Sequence, residues 1–169
     1  TVTISLGDGY VMSGEDVVVA VSLDSPSPIG GVQIDFVDTP DNLTIVSAAA
    51  TGSVPADWSV SVAELPDGSG RLLGFSFSGT LIPAGSGEAF LVTFSATASE
   101  PTTVALCTLG ETVSDATGAG YLVDGGCGAV DVDVVGINVS LSTDAGPIDQ
   151  GESGSLTLSM ENPYPVYGV

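Results

Sequence analysis

The sequence predicts an all-β protein: a nine-stranded jelly-roll or immunoglobulin-like β-sandwich, followed by the first strands of a second similar unit. Three observations predict it. The 169 residues include 23 glycines and 10 prolines but a single Lys or Arg, so runs of good helix formers hardly occur. Short segments rich in Val, Thr, Ile and Phe are separated by clusters of Gly, Pro, Asp and Ser. Finally, the beginning of the chain resembles its end.

Nine segments have the β-branched and aromatic composition of strands, and several alternate apolar and polar residues. The turn residues between them are typical of two packed antiparallel sheets. The predicted strands are Val2–Leu6, Val17–Leu23, Gly31–Phe36, Leu43–Ala48, Trp58–Ala63, Arg71–Phe77, Ala89–Ala96, Thr103–Leu109 and Ala129–Val135.

The segment Arg71–Phe77 indicates which aromatic residues belong to the core. Its alternation places Leu73, Phe75 and Phe77 on one face of the strand. Because large aromatic side chains are mostly buried, this face is expected to be the core face, with a ligand platform as the alternative. The same core is expected to include the other large aromatics, Phe36, Trp58, Phe90 and Phe94.

The charge excludes several classes of function. The chain carries 21 acidic residues, one basic residue, Arg71, and no His, for a net charge of -20. No nucleic-acid partner is expected, because phosphate binding requires Lys and Arg. No apolar run is long enough for membrane insertion. Without His or Lys the protein is expected to be non-enzymatic, with paired carboxylates of the glycosidase kind as the alternative.

Two cysteines, Cys107 and Cys127, stand 20 residues apart in segments of strand composition and form no C-x-x-C pair. A disulfide between them is the favoured interpretation, and two buried free thiols are the alternative. A disulfide implies an oxidising compartment, which favours an extracellular or cell-surface location.

A repeat links the two ends of the chain. Residues of the first strands recur 137 positions later, and one tripeptide recurs 135 positions later, which implies a two-residue insertion between them. The repeat predicts a first unit over residues 1–135 and the opening strands of a second over 136–169; two hairpins with similar turns are the alternative. The matches are Gly9, Gly14, Glu15, Ser22, Pro26, Pro28, Gly31 and Val32 with Gly146, Gly151, Glu152, Ser159, Pro163, Pro165, Gly168 and Val169, and Ile4-Ser5-Leu6 with Val139-Ser140-Leu141.

The apolar residues of the second unit need a partner, because two strands alone cannot bury an apolar face. They are expected to pack on the first unit, on a neighbouring subunit by strand addition, or on a further part of a longer chain. These residues are Val139, Leu141, Leu156, Leu158 and Met160.

Several stretches carry a family resemblance. Residues Gly30–Phe36 and Asp38–Leu43 look like a strand followed by a D-P-x-x-L turn with one extra residue. Residues Ser78–Gly87 are similar to an "SGTGIPAGSG" loop, and Thr112–Gly118 and Gly128–Val132 resemble a closing "LSDxxG" turn and "GxVTV" strand. Over about residues 1–135 the chain therefore resembles the cohesin family and its cohesin-like relatives.

The resemblance implies a nine-stranded flattened jelly roll that, in family members, recognises a calcium-loaded dockerin through one sheet face. Cohesin-like modules also occur in bacterial and archaeal surface proteins without a cellulosome. The scarcity of basic residues and the repeat favour a structural or adhesive surface protein of tandem units, assembling with copies of itself or the next repeat into a filament by strand sharing. A scaffold-type module that binds a dockerin or a carbohydrate is the alternative.

Calcium is the candidate cofactor, because it prefers the oxygen donors of Asp, Asn and loop carbonyls. Asp38, Asp41 and Asn42 form the densest oxygen cluster, and Asp115 with Asp124 is a second candidate. A solvated acidic surface is the alternative to both.

Two segments satisfy the N-glycosylation pattern, at Asn42 and Asn138. A glycan at Asn42 would lie on an exposed turn, and one at Asn138 would lie at the junction between the predicted units.

Overall fold

The structure, a computed structural model, describes residues 1–136, 138–143 and 156–161. Contacts between Cα atoms divide the chain into two units, Thr1–Val134 and Val135–Val169. The regular elements of the described residues are all β-strands. None of these residues belongs to a helix long and apolar enough to cross a bilayer.

The first unit is a sandwich of two sheets. Its strands are β1 (Val2–Leu6), β2 (Gly9–Met12), β3 (Asp16–Ser25), β4 (Gly31–Thr39), β5 (Leu43–Ala50), β6 (Trp58–Glu64), β7 (Gly70–Ser76), β8 (Gly85–Ala96), β9 (Thr102–Ser114), β10 (Val123–Asp124) and β11 (Cys127–Asp133). The five-stranded sheet has the order β10-β1-β3-β8-β5, and the six-stranded sheet has the order β2-β11-β9-β4-β7-β6.

The start of the chain crosses from one sheet to the other. β1 pairs antiparallel with β3 and parallel with β10, whereas β2 pairs parallel with β11. Between β1 and β2, Gly7 N–H donates to the Ala20 carbonyl (2.9 Å), and the Asp8 carboxylate accepts the Ala129 N–H (2.8 Å). These contacts tie the two sheets together along one side of the sandwich.

The predicted all-β sandwich is confirmed, and each of the nine predicted segments overlaps a strand. The structure adds β2 and β10, which are four and two residues long and too short to show a clear alternation. β9 continues past Leu109 to Ser114 across a register shift, in which two residues, Gly110 and Glu111, lie opposite the single residue Ile34 of β4.

Apolar side chains of both sheets form one continuous core. Phe36, Phe90, Phe94 and Trp58 are all buried, as predicted. The rings of Phe36 and Phe94 meet edge to face with centroids 5.7 Å apart. The Trp58 indole N–H donates to the Thr80 carbonyl (2.8 Å), so the one polar group of this side chain is satisfied.

The prediction that Leu73, Phe75 and Phe77 form the core face of β7 is wrong. Leu73 and Phe75 are each 38% exposed and Phe77 is 84% exposed, whereas Leu72, on the opposite face, is fully buried. The space above β7 is filled from other strands: a Cβ on Gly74 would lie 3.2 Å from the Phe90 ring, and one on Gly70 would lie 2.9 Å from Ile45. Because the core side of β7 has room for one large side chain between two glycines, its aromatic residues point outward.

The disulfide joins β9 to β11. Cys107 and Cys127 lie directly opposite each other in the antiparallel pairing, with Cα atoms 4.1 Å apart and an S–S bond of 2.06 Å. Both cysteines face outward, because Leu106 on β9 is buried on the other side of the strand. The predicted disulfide is thus present on the outer face of the six-stranded sheet.

The described part of the second unit is one antiparallel hairpin, β12 (Asn138–Thr143) and β13 (Leu156–Glu161). In this hairpin Val139 pairs with Met160 and Leu141 pairs with Leu158. The other residues of the predicted repeat, at 144–155 and 162–169, lie outside the described residues.

Candidate binding face

The outer face of the six-stranded sheet carries an exposed apolar surface. We define the recognition face as the outward residues of β4, β6, β7 and β9 in three neighbouring rows, together with Phe77 just beyond β7. Reading across the sheet from β9 to β6, the rows are Ser114, Gly31, Phe75 and Ser59; Thr112, Gln33, Leu73 and Ser61; and Leu109, Asp35, Arg71 and Ala63.

Four large side chains make this face apolar: Leu73, Phe75, Phe77 and Leu109, the last 61% exposed. The Phe75 and Phe77 rings pack edge to face with centroids 4.8 Å apart. A shallow groove of about 220 Å³ runs between Leu73 and Phe75 on β7 and Thr112 on β9. Contiguous exposed apolar surface of this kind marks interaction sites.

A single ion pair makes the face electrically neutral. The Arg71 guanidinium donates two hydrogen bonds to the Asp35 carboxylate, each 2.6 Å long. The hydrogen bond with Asp35 raises the pKa of Arg71 above its usual value. The three rows contain no other charged residue, although the chain carries a net charge of -20. Its one basic residue therefore neutralises the one acidic residue of this surface, as expected where charged groups are depleted from an interface core.

A hydrogen-bonded turn positions Phe77. The Asp57 carboxylate accepts hydrogen bonds from Ser76 (2.8 Å) and from Ser78, the two neighbours of Phe77. The hydrogen bond from Ser78 is the main reason why the pKa of Asp57 falls to about 2. Gly79 follows in a left-handed conformation (φ 78°), which a residue with a Cβ rarely adopts. The turn therefore holds Phe77 outward before any partner binds.

Carboxylates border the face at both ends. Asp57 and Asp115 lie beyond the row of Phe75, and Asp67 lies beyond the row of Arg71. The Thr117 hydroxyl lowers the pKa of Asp115, and the Ser69 hydroxyl lowers that of Asp67. Glu64, at the end of β6, is instead directed toward the five-stranded sheet, where it accepts the Ile45 N–H (3.2 Å). The hydrogen-bond partners of these carboxylates are uncharged groups, so negative charge remains at both ends.

A second groove, of about 390 Å³, lies at the other end of the same sheet. Tyr10, 60% exposed, donates to Asp133 (3.4 Å), and the Thr103 hydroxyl donates to Asp131 (2.6 Å). Pro101 completes the wall of the groove. This groove is more polar than the recognition face and carries two carboxylates.

The predicted calcium ligands have structural partners. Asp38 accepts the N–H groups of Asn42 (2.7 Å) and Leu43 (2.8 Å), which closes the turn between β4 and β5. The carboxylate of Asp41 lies beside Gly68. Within residues 1–136 and the two strands of the hairpin, no group of three His, Cys, Asp or Glu residues is suited to hold a metal. Calcium binding by Asp38, Asp41 and Asn42 stays a prediction.

The second pair of predicted calcium ligands is separated between two elements. Asp115 caps its own turn, accepting N–H groups from Thr117 (2.7 Å) and Ala119 (3.0 Å). Asp124 lies in β10 and pairs with Thr3 of β1. Calcium binding by Asp115 and Asp124 stays a prediction.

The two sequons lie in different units of the chain. The Asn42 side-chain amide donates to the Thr97 carbonyl (2.5 Å), a hydrogen bond that a glycan on this nitrogen would alter. Asn138 is the first residue of β12, and its side chain lies outside the described residues. Glycosylation at both positions stays a prediction.

The sandwich of the first unit has counterparts among solved structures. No family model and no curated protein matches the sequence. Among solved structures, a non-cellulosomal cohesin from the archaeon Archaeoglobus fulgidus is 20% identical, with a TM-score of 0.61, covering 78% of this chain and 91% of that one. The sixth cohesin of scaffoldin B from Acetivibrio cellulolyticus, solved in complex with a Cel5 dockerin mutant, is 19% identical, with a TM-score of 0.60, covering 79% and 98%.

This chain contains a cohesin-like β-sandwich. A cohesin module of a family 33 glycoside hydrolase from Clostridium perfringens matches it as well, at 14% identity and a TM-score of 0.63, covering 79% of this chain and 96% of that one. The cohesin-like resemblance predicted from the sequence is confirmed at the level of the fold.

Sequence reasoning missed the most exposed part of this cohesin-like surface. It assigned Leu73, Phe75 and Phe77 to the core, and the structure assigns them to the recognition face. A signal was present in the same strand, where Gly70 and Gly74 alternate with Leu72. Glycines at alternate positions indicate a strand face approached closely by other elements.

Proposed function

We propose that the first unit is a non-catalytic, extracellular binding module that recognises a protein of the dockerin kind through the recognition face. The observation that carries this proposal is the neutral apolar surface formed by Leu73, Phe75 and Phe77 on an otherwise acidic protein. Cohesins of the same fold are seen in complexes with dockerins, which supports this kind of partner.

The geometry suits a preformed interface. Phe75 and Phe77 are held by each other and by the Asp57 turn, so little conformational freedom is lost on binding. Aromatic side chains at the centre of a charge-depleted patch are the usual hot spots of protein interfaces. The disulfide extends the same sheet face and is consistent with an extracellular location.

Calorimetric titration with a panel of calcium-loaded dockerins tests the proposal. We expect at least one dockerin to bind, and Phe75→Ser to weaken that binding by at least about tenfold, as loss of an interface anchor does. Val18→Ser is the matched control, because Val18 is 54% exposed on the outer face of the other sheet. Equal losses in both variants, or binding by no dockerin, would contradict the proposal.

We propose, as a second function, that such modules occur in series in a structural or adhesive surface protein. The observation that favours it is the register of the β12–β13 hairpin. In the first unit Ile4 pairs with Leu23 and Leu6 pairs with Val21. The equivalent pairs of the second unit, at offsets of 135 and 137 residues, join Val139 to Met160 and Leu141 to Leu158.

Equal register supports a true repeat, because a slip of one residue would move every apolar residue to the other face of the hairpin. Ile4, Leu6, Val21 and Leu23 are all buried in the first unit. The same register positions of the second unit are occupied by Val139, Leu141, Leu158 and Met160. Leu156 lies two residues before Leu158, so it continues the series of apolar residues at every second position of β13.

A hairpin exchange tests the repeat. We expect a chimera in which the residues of β1 and β3 are replaced by those of β12 and β13 to unfold cooperatively, with a stability loss of about 1–3 kcal/mol from altered core volume. A scrambled hairpin of the same composition is the control and should abolish folding. Light scattering with calcium and with a chelator separately tests assembly by strand sharing: a monomer in both conditions would exclude it.

A further inference from the structure

The second groove of the six-stranded sheet, of about 390 Å³, lies outside the recognition face. Tyr10 of β2, Asp131 of β11 and Thr103 of β9 are neighbours in one row across the outer surface of the sheet. Asp133 follows Asp131 on the same surface, since Val132 between them is buried. The volume of the groove is within the range of small-molecule sites in proteins, so the groove can hold an organic ligand.

The polar part of this groove consists of hydrogen-bond acceptors. The Thr103 hydroxyl donates to Oδ1 of Asp131 (2.6 Å), and the Tyr10 hydroxyl donates to Oδ2 of Asp133 (3.4 Å). Oδ1 of Asp133 also accepts the Val134 N–H (2.8 Å). An ionised carboxyl group has about four lone-pair positions, so each carboxylate can accept further hydrogen bonds beside these. Both carboxylates therefore suit a ligand that donates hydrogen bonds.

A smaller side depression, of about 160 Å³, meets the second groove at Thr102, which lines both. The chain between the two is held in place: the Ser13 hydroxyl donates to the Ala98 carbonyl (2.8 Å) and accepts the Ala98 N–H (2.9 Å), and the Asn42 amide donates to the Thr97 carbonyl (2.5 Å). A ligand therefore meets a site that needs little ordering. The other residues of the side depression are Pro40, Asn42, Ala98, Ser99 and Glu100.

Apolar surface lies beside the acceptors. Tyr10 is 60% exposed on an edge strand of the sheet, and Pro101 lies in the lining as well. A sugar ring has the same two kinds of surface, since its C–H groups form an apolar face and its hydroxyl groups form a polar rim. We propose that the second groove and the side depression together bind a neutral oligosaccharide. This inference goes beyond the proposed function, which concerns the recognition face.

Each part of the site has a defined contact with the sugar. The C–H face packs on the Tyr10 ring and gains dispersion contacts. Ring hydroxyls donate charge-assisted hydrogen bonds to Asp131 and Asp133. These two residues are two positions apart on one strand, a spacing of about 6.6 Å, so they meet donors at separate points of an elongated ligand. The side depression extends the site toward Asn42, so a chain of sugars fills it better than a single ring.

Charge narrows the class of saccharide. Asp131, Asp133 and Glu100 all line the two depressions. The single basic side chain of the protein, Arg71, is bonded to Asp35 within the recognition face. A saccharide that carries carboxylate, sulfate or phosphate groups would place like charges together without a basic side chain to neutralise them. The ligand is therefore uncharged.

NMR titration of the isotope-labelled full chain, produced without glycosylation so that Asn42 is unmodified, tests the proposal. The probes are cellotriose, maltotriose, mannotriose and the trimer of N-acetylglucosamine, with trigalacturonic acid and trilysine as charged comparisons. We expect at least one neutral trisaccharide to shift the signals of Tyr10, Thr102 and Asp131. Its affinity should change by less than about twofold between about 20 mM and 0.5 M salt, because screening acts on charged ligands. Trigalacturonic acid should not bind.

Variants of the lining residues locate the site. Tyr10→Ala removes the stacking surface and should weaken binding of the trisaccharide at least about fivefold. Asp131→Asn with Asp133→Asn replaces charge-assisted hydrogen bonds by neutral ones and should weaken it at least about fivefold as well. Phe75→Ser is the matched control, because it removes an exposed ring from the recognition face, and it should leave the affinity unchanged. An effect of Phe75→Ser as large as that of Tyr10→Ala would overturn the proposal.

The remaining outcomes separate this inference from the proposed function. Binding of no neutral trisaccharide would overturn the inference and leave the proposed function standing, since the dockerin titration depends on Phe75. Trilysine binding that Tyr10→Ala weakens, without binding of any saccharide, would identify a cationic peptide as the occupant and overturn the inference. Trisaccharide binding that Tyr10→Ala weakens would support it even where no dockerin binds, an outcome that contradicts the proposed function alone.

Discussion

Truncation of two neighbouring residues of β7 tests the orientation of the whole recognition face. Leu72 is fully buried between the sheets, whereas Leu73 is 38% exposed on the outer surface. Leu72→Ala removes buried methyl groups and leaves a cavity among Ile34, Val62 and the aromatic core, so we expect a stability loss of about 2–5 kcal/mol. Leu73→Ala opens no closed cavity and should cost less than about 1 kcal/mol.

Urea denaturation followed by the fluorescence of Trp58 measures both losses, because the chain has one tryptophan and its ring is buried. Equal slopes of the two unfolding curves would show that the variants change stability and not the extent of unfolding. A loss for Leu73→Ala as large as that for Leu72→Ala would refute the assigned orientation, and with it the recognition face. The same Leu73→Ala variant should weaken dockerin binding, which Leu72→Ala affects only by destabilising the fold.

Three further results are expected. Replacing Cys107 and Cys127 by serine should cost about 3 kcal/mol, from the entropy of a chain loop of about 20 residues, and the same loss should follow reduction of the unsubstituted protein. Arg71→Gln leaves Asp35 unpaired and should cost about 1 kcal/mol for this partly exposed pair; adding Asp35→Asn should restore most of the loss, as a double-mutant cycle in urea would show. Because the folded-state pKa of Asp57 is about 2 and its ordinary value is 3.8, its contribution to stability is present above pH 4 and is lost as the pH falls toward 2. The urea midpoint of Asp57→Ala should therefore fall less steeply than that of the unsubstituted protein over this range, and parallel curves would contradict the assignment.

The strand positions could be predicted from sequence because their signal is local. Val17, Val19, Val21 and Leu23 place an apolar residue at every second position of β3, and all four are buried. The two missed strands depend on non-local pairing: β2 forms against β11, more than 100 residues later, and β10 forms against β1. A segment of two to four residues does not contain a periodicity of its own, so such strands follow from the sheet and not from their own sequence.

The binding face was harder to predict than the fold. Charge counting showed that Arg71 is the only basic residue, but its pairing with Asp35 depends on the register of β4 against β7. Likewise, the acidic turn of Asp38, Asp41 and Asn42 looked like a cluster of free oxygen ligands, yet Asp38 accepts backbone N–H groups of that turn. Composition identifies candidate donors and acceptors, and the folded backbone selects their partners.

By itself, the sequence determined the all-β class, the strand segments, the acidic character and the pair of cysteines, because each follows from residue identity or from a period of two along the chain. Only the tertiary structure decided which face of β7 is buried. Alternation separates Leu72 from Leu73 and Phe75 but does not say which side faces the other sheet. Packing against Phe90 and Ile45 determines which face is buried. Their side chains fill the space above Gly74 and Gly70 and leave room in the core for Leu72. Close packing of side chains from distant strands therefore turned an expected core strip into an exposed surface.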